Sequence, residues 1–131
     1  MSAVDLIVLL SVLQLFVFGA LVGRSRGKYG VKAPAIAGHE MFERAYRVQM
    51  NTMELLVLLL TALYLAAKHW SPTYAAIAGA VYLVGRVLYW RAYMRFPETR
   101  SLGFALSMGP ILVLIFSSLV AIAKSIYNSA A

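Results

Sequence analysis

Arg47, Asn51 and Glu54 are the first residues in this sequence that suggest chemistry. Their separations of four and three residues put them on one face of a helix. A second set, Tyr82, Arg86, Tyr89 and Tyr93, repeats the same kind of spacing and also shares a face. Both sets lie in apolar stretches, where a charged side chain near a helix centre costs about 2.5–3.5 kcal/mol. Such residues persist where they face a bundle interior or a wet pocket. Cation, amide, carboxylate and phenol groups at one membrane depth would match a zwitterionic ligand carrying carboxylates and an ammonium. Plainer roles stand beside this one. Arg86 can pair with Glu54 as an interhelical bridge, and Tyr82 and Trp90 read as packing or interfacial aromatics. Arg44, Arg91 and Arg95, near helix ends, read equally as snorkelling anchors. Met41, Met50, Met53, Met94 and Met108 read as gap-filling residues. His39 reads as a loop histidine with no second ligand at metal-binding spacing, so no metal site is expected.

These side chains need a scaffold, and the composition defines it. The chain has 131 residues, of which 62% are hydrophobic and 13% charged, with 12 Lys+Arg against 5 Asp+Glu and a net charge of +7. Soluble domains run at about 45–50% apolar and about 25% charged. With a mean hydropathy of +0.78, this excludes a soluble globule, a disordered tail and a nucleic-acid binder; a basic integral membrane protein accounts for both greasiness and charge. Four apolar runs, at about 4–23, 48–67, 73–93 and 102–123, are each long enough to span a bilayer as a helix. The expected fold is all-α: an integral membrane four-helix bundle forming one domain over residues 1–131. The first run lacks a basic leader and reads as an uncleaved helix. Gly27, Gly30, Pro34 and Gly38 mark the first connection, Lys68 to Pro72 a tight turn, and Pro97 the third connection. Gly109-Pro110 predicts a kink in the fourth span.

The charges also sort by side. Arg24, Arg26, Lys28, Lys32, Arg44 and Arg47 flank the first connection, and Arg91, Arg95 and Arg100 the third, with Arg86 deeper at the same end. Lys68 and Lys124 stand at the other end. The positive-inside rule puts the first and third connections in the cytoplasm and both termini on the opposite side. Cysteine is absent, so any thiol chemistry must use a sulfur brought by a ligand.

Two blocks make the sequence similar to a known family. They are Phe42-Glu43-Arg44-Ala45-Tyr46-Arg47-Val48-Gln49-Met50-Asn51-Thr52-Met53-Glu54 and Tyr82-Leu83-Val84-Gly85-Arg86-Val87-Leu88-Tyr89-Trp90-Arg91-Ala92-Tyr93, the second followed by Pro97 and Arg100. Together, in a four-span chain, they resemble the MAPEG superfamily, membrane-associated proteins in eicosanoid and glutathione metabolism. The resemblance implies a homotrimer that binds glutathione between neighbouring subunits near the cytoplasmic face. It implies that Arg47, Asn51 and Glu54 hold the polar ends of glutathione, with Tyr89 and Tyr93 in the same pocket. Arg26 and Gln49 match positions that reach in from the adjacent subunit. Arg100 matches the arginine that stabilises the thiolate, and Ser101 follows it as a lesser helper.

The implied activity is that of a membrane-bound glutathione transferase, with glutathione as co-substrate and no metal. Its partners would be a lipophilic electrophile or lipid hydroperoxide, membrane lipid and its own copies, without nucleic acid. The short chain is similar to bacterial members, which implies a bacterial inner membrane with the site facing the cytoplasm. Two departures, Leu55 after the glutamate and Gly27 in place of a second arginine, point away from leukotriene synthesis and towards a more general transferase or peroxidase. Two alternatives remain open: a non-enzymatic lipid-binding scaffold of the same superfamily, and a small exporter in which Glu54 is a proton-coupled carboxylate.

Overall fold

The computed structural model describes all 131 residues. Four helices follow one another: α1 (Ser2–Tyr29), α2 (Glu40–His69), α3 (Pro72–Arg95) and α4 (Ser101–Ala130), with a single 3-10 turn at Pro97–Thr99 before the last. Each apolar run expected from the sequence lies inside one of these helices, and each helix extends beyond its run. At 30 residues, α2 and α4 are about 45 Å long against a bilayer core of about 30 Å, so polar turns project past the apolar belt.

The ends are fixed by local chemistry. Gly30 closes α1 in the left-handed region at φ 69°, its N–H donating to the Arg26 carbonyl. The Nδ1 of His39 accepts from the Met41 N–H at 3.1 Å and caps α2, while its ring stacks on Tyr29 at 4.0 Å. The loop histidine is thus a helix cap. Ser71 caps α3 by accepting from the Tyr74 N–H at 3.2 Å, with Pro72 at the first helical position, where no N–H is needed. Arg44, read from sequence as a possible topology anchor, donates to the last-turn carbonyls Met94 O and Arg95 O of α3, both at 3.0 Å, and pairs with Glu40. It ties the start of α2 to the end of α3, which brings the first and third connections to the same end of the bundle.

The core runs down the bundle axis through Leu55, Leu59, Leu63, Tyr82, Ile111 and Leu114. α3 packs against all three other helices. It lies very close to α4, because Gly85 faces the Leu106 carbonyl and Gly103 faces the Tyr89 backbone. α4 runs unbroken through Pro110. Proline has no N–H to give the carbonyl four residues earlier, Leu106, and this is the carbonyl that lies over the bare Cα of Gly85.

Three helices, α1, α2 and α4, are long and apolar enough to cross a membrane. α3 is interrupted by Tyr82, Arg86, Tyr89, Arg91, Tyr93 and Arg95. Three of these polar groups turn inward: Tyr82, Arg86 and Tyr89 are buried, Arg91 and Arg95 near the helix end are exposed, and Ile77, Val81, Val84 and Leu88 form an exposed apolar face.

Candidate functional site

A cleft of about 720 Å³ opens where α2, α3 and the start of α4 meet, lined by Arg47, Met50, Asn51, Glu54, Tyr89, Tyr93, Glu98, Arg100, Ser101 and Phe104. Its volume lies within the roughly 300–1,000 Å³ of small-ligand sites. α2 contributes Arg47, Asn51 and Glu54 as one helical face, α3 contributes Tyr89 and Tyr93 four residues apart, and the 3-10 turn delivers Glu98 and Arg100. Pro97 makes that turn possible: it stops α3 and starts the tight turn, so the chain reverses within five residues of Arg95. The Nη1 of Arg100 donates to the Pro97 carbonyl at 2.8 Å, which braces the guanidinium across its own turn.

Six of the residues singled out from the sequence, Arg47, Asn51, Glu54, Tyr89, Tyr93 and Arg100, therefore meet around one cavity. Arg26 and Gln49 do not. Arg26 donates to the Ala35 carbonyl at 2.7 Å and covers the Phe42 ring at 4.7 Å. Gln49 packs over Gly19 of α1, where an added Cβ would meet its Nε2 at 3.0 Å. Within their own chain both face away from the cleft.

The cleft also has residues the spacing argument missed. Glu98 and Phe104 flank Arg100 at positions the sequence does carry: Glu98 two residues before it, and Phe104 one helical turn after it. Met50 lies one turn from Arg47 and from Glu54 and supplies an apolar wall. Phe104 meets Tyr89 at 6.5 Å between centroids, and Tyr89 meets Tyr93 at 5.5 Å. The cleft thus carries two guanidiniums, two carboxylates, an amide and two phenols beside an apolar edge. That set suits a ligand with both signs of charge and an apolar portion.

Arg86 corrects a sequence expectation. It does not bridge to Glu54. It donates through Nη1 to Asn51 Oδ1 at 2.7 Å and Thr52 Oγ1 at 3.2 Å, and through Nε to Ser107 Oγ at 2.8 Å. Its guanidinium lies over the Tyr89 ring at 4.2 Å. The reason is rotational: Arg86 and Thr52 are at 0% exposure, whereas Glu54 stands on the exposed side of α2. Tyr82 is fully buried beside Arg86 and is a packing aromatic. Trp90 packs on Phe18 at 6.3 Å.

An all-helical bundle with three helices long and apolar enough to cross a membrane, and a polar cleft at one end, is the architecture of a small membrane protein. Residues 4–120 match the MAPEG family, and the chain belongs to that family. It is 48% identical over 101 residues to a protein of Synechocystis sp. described as uncharacterized, covering 77% of this chain and 74% of that one. It is 35% identical over 117 residues to the human microsomal glutathione S-transferase 2, covering 89% of this chain and 80% of that protein. With the leukotriene C4 synthase of Cavia porcellus the identity is 36% over 94 residues, 72% of this chain and 63% of that protein.

Proposed function

We propose that this protein is a membrane-bound glutathione transferase, and that the cleft between α2, α3 and α4 binds glutathione and activates its thiol. The observation that carries this reading is the convergence of Arg47, Asn51, Glu54, Tyr89, Tyr93 and Arg100 on one cavity. Glutathione has two carboxylates, one ammonium and a thiol. Arg47, Arg100 and the Asn51 amide serve the anionic groups, and Glu54 or Glu98 serves the ammonium. Relatives named as a microsomal glutathione S-transferase and a leukotriene C4 synthase support the same ligand.

Arg100 is the residue we assign to thiolate activation. A free thiol titrates near ~8.5, so about 3% is ionised at pH 7. Lowering that value by about two units needs roughly 2.7 kcal/mol in favour of the anion. One hydrogen bond to a charged group supplies about 1.5–3 kcal/mol, and a guanidinium stays protonated throughout. In transfer, the thiolate forms a C–S bond with the electrophilic carbon, the leaving group departs with the electron pair of the bond it breaks, and the thiol proton goes to water. On a lipid hydroperoxide, one glutathione takes the terminal oxygen as a sulfenic acid and releases the alcohol, and a second glutathione yields the disulfide and water. Met50 and Phe104 give the electrophile an apolar approach to the polar cleft.

We further propose a homotrimer, with Arg26 and Gln49 completing the cleft of a neighbouring subunit. One feature supports it: both residues face away from the cleft of their own chain. The span limits of about 4–23, 48–67, 73–93 and 102–123 are part of the same reading. So is a bacterial inner membrane with the cleft facing the cytoplasm, which follows from the basic end of the bundle.

The test is conjugation of glutathione to a chlorodinitrobenzene acceptor by the purified protein in detergent, beside glutathione binding. Ionising at pH 7 about 75% rather than about 3% of the thiol gives Arg100 an advantage of about 25-fold over Arg100→Ala. The sign of the pH dependence follows: the cation lowers the thiol's pKa to about 6.5, so the advantage approaches about 100-fold below that pH, falls between ~6.5 and ~8.5 to about twofold, and is under about 1.5-fold at pH 9. An Arg100→Ala variant as active as wild type at pH 7 overturns the role of Arg100. Absence of saturable glutathione binding overturns the transferase reading in favour of a scaffold.

A further inference from the structure

Arg86 is the least explained group in the protein. It is at 0% exposure, every acceptor it reaches is neutral, and its Nη2 has no partner at all. A buried charge without a counter-ion is strongly unfavourable unless something offsets it. Its two accepting hydroxyls are themselves anchored: Thr52 donates to the Val48 carbonyl at 2.7 Å and Ser107 to the Gly103 carbonyl at 2.6 Å. The third acceptor, Asn51, is different, because Asn51 lines the cleft.

A guanidinium can only donate, so the Asn51 atom it holds at 2.7 Å must be the amide oxygen. That fixes the amide: Oδ1 points inward to Arg86, and Nδ2, with no partner within the chain, is left for the cleft. Without Arg86, the amide could turn either way and present an acceptor as easily as a donor. Tyr89, whose ring the same guanidinium covers at 4.2 Å, lines the cleft too. The unpaired charge therefore sits directly behind two wall residues, in a low-dielectric interior where its attraction for an anion is poorly screened.

We propose that Arg86 is a positioning residue for anion binding: it latches the Asn51 amide so that the cleft is offered a donor, and the bound ligand's anionic group offsets the buried charge behind it. The inference rests on the glutathione reading of the same cleft. It assigns Arg86 to ligand affinity and leaves thiolate formation to Arg100.

The experiment is a double-mutant cycle on full-length protein in detergent, reading the glutathione Kd by calorimetry, KM and kcat by conjugation, and the thermal midpoint. Arg86→Lys keeps the charge but loses the fork that reaches Asn51, Thr52 and Ser107 together. It is expected to raise Kd and KM about tenfold, to leave kcat and its pH profile close to wild type, and to have much less effect in an Asn51→Ala background. A wild-type Kd in Arg86→Lys, or an equal loss with Asn51 already removed, overturns the latch. A purely structural role would lower the midpoint without moving KM apart from kcat. Should Arg86→Lys fail to fold, Asn51→Asp carries the test. It gives Arg86 a carboxylate, so the midpoint is expected to hold or rise while glutathione affinity falls at least tenfold, because the donor is gone. Unchanged affinity, or a lower midpoint, overturns the proposal. Wild-type protein that does not bind glutathione is a separate result: it overturns the transferase reading, and the latch with it.

Discussion

The contact between α3 and α4 should set the geometry of the cleft, and Gly103→Ala tests that at a single atom. A Cβ built at Gly103 lies 2.5 Å from the Tyr89 Cα and 2.9 Å from the Leu88 carbonyl carbon, and it also collides with the Tyr89 backbone nitrogen. Carbon atoms in ordinary contact stand about 3.5–4.0 Å apart, so the two helices must part by roughly 1 Å at this turn. The obstacle is backbone on both sides, so no side chain can swing away. Tyr89 lines the cleft from α3, while Arg100, Ser101 and Phe104 line it from the chain leading into and starting α4, so a separation here widens the site itself. Overpacking of this kind costs about 1–3 kcal/mol of stability, and a misplacement of about 1 Å can cost about a hundredfold in turnover. Gly109→Ala is the matched control: nothing lies within 4 Å of its added Cβ, and the helix gains up to about 1 kcal/mol in propensity. Both variants would be purified in detergent and compared by thermal midpoint and by kcat/KM for glutathione conjugation. Gly103→Ala should lose about a hundredfold and Gly109→Ala nothing. Wild-type kcat/KM in Gly103→Ala, or an equal loss in both, would refute the argument that this close approach shapes the cleft.

Two further substitutions separate the scaffold from the site. Arg44→Ala removes the donor to the Met94 and Arg95 carbonyls; a drop in thermal stability of about 1–3 kcal/mol is expected, with a smaller loss of activity than in Arg100→Ala, as read by detergent melting and the conjugation assay. Gln14→Leu removes the bond from Nε2 to the Leu83 carbonyl at 3.0 Å together with a buried amide oxygen that has no partner. Since the lost bond and the relieved oxygen offset each other, the midpoint should stay within about 1 kcal/mol of wild type or rise, with conjugation unchanged; a large fall in the midpoint would show that the Gln14–Leu83 bond holds α1 in place.

Spacing within one helix carried most of what could be read in advance. Arg47, Asn51 and Glu54 share a face because four and three residues make a turn, and Tyr89 and Tyr93 do so for the same reason; the cleft shows both sets. What spacing cannot give is rotation and offset between helices. Arg86 and Glu54 are both charged and at similar depth, so the sequence leaves an interhelical pair open, yet the rotation of α2 puts Asn51 and Thr52 in front of Arg86 and turns Glu54 to the cleft. Glu98 escapes a spacing argument for a related reason. It belongs to no helical face, and the 3-10 turn at Pro97–Thr99 that aims it into the cleft leaves no periodic trace. Arg44 near a helix end looks the same in sequence whether it snorkels to water or closes the end of another helix; the Met94 and Arg95 carbonyls decide between these roles.

The one helix without an apolar stretch long enough to cross a membrane is the one that depends most on its neighbours. α3 places Tyr82, Arg86 and Tyr89 inward and its apolar face outward, the reverse of a water-soluble amphipathic helix. Alone in a bilayer it would carry Arg86 with nothing to receive its hydrogen bonds, a penalty of a few kcal/mol. Its acceptors are on α2 at Asn51 and Thr52 and on α4 at Ser107, so α3 is stable in the membrane chiefly once both neighbours have packed against it. The glycines at 85 and 103 let α4 come close enough to do this. Assembly of the bundle and construction of the cleft are then one event: the contacts that satisfy Arg86 also bring Asn51, Tyr89 and the Arg100 turn to the same cavity. A substitution that stabilised α3 as an independent span, such as Arg86→Leu, would relieve the insertion penalty and remove the bond that orients Asn51. Improved membrane insertion with weakened glutathione binding is the expected pair of outcomes, and equal changes in both directions would break the link between them.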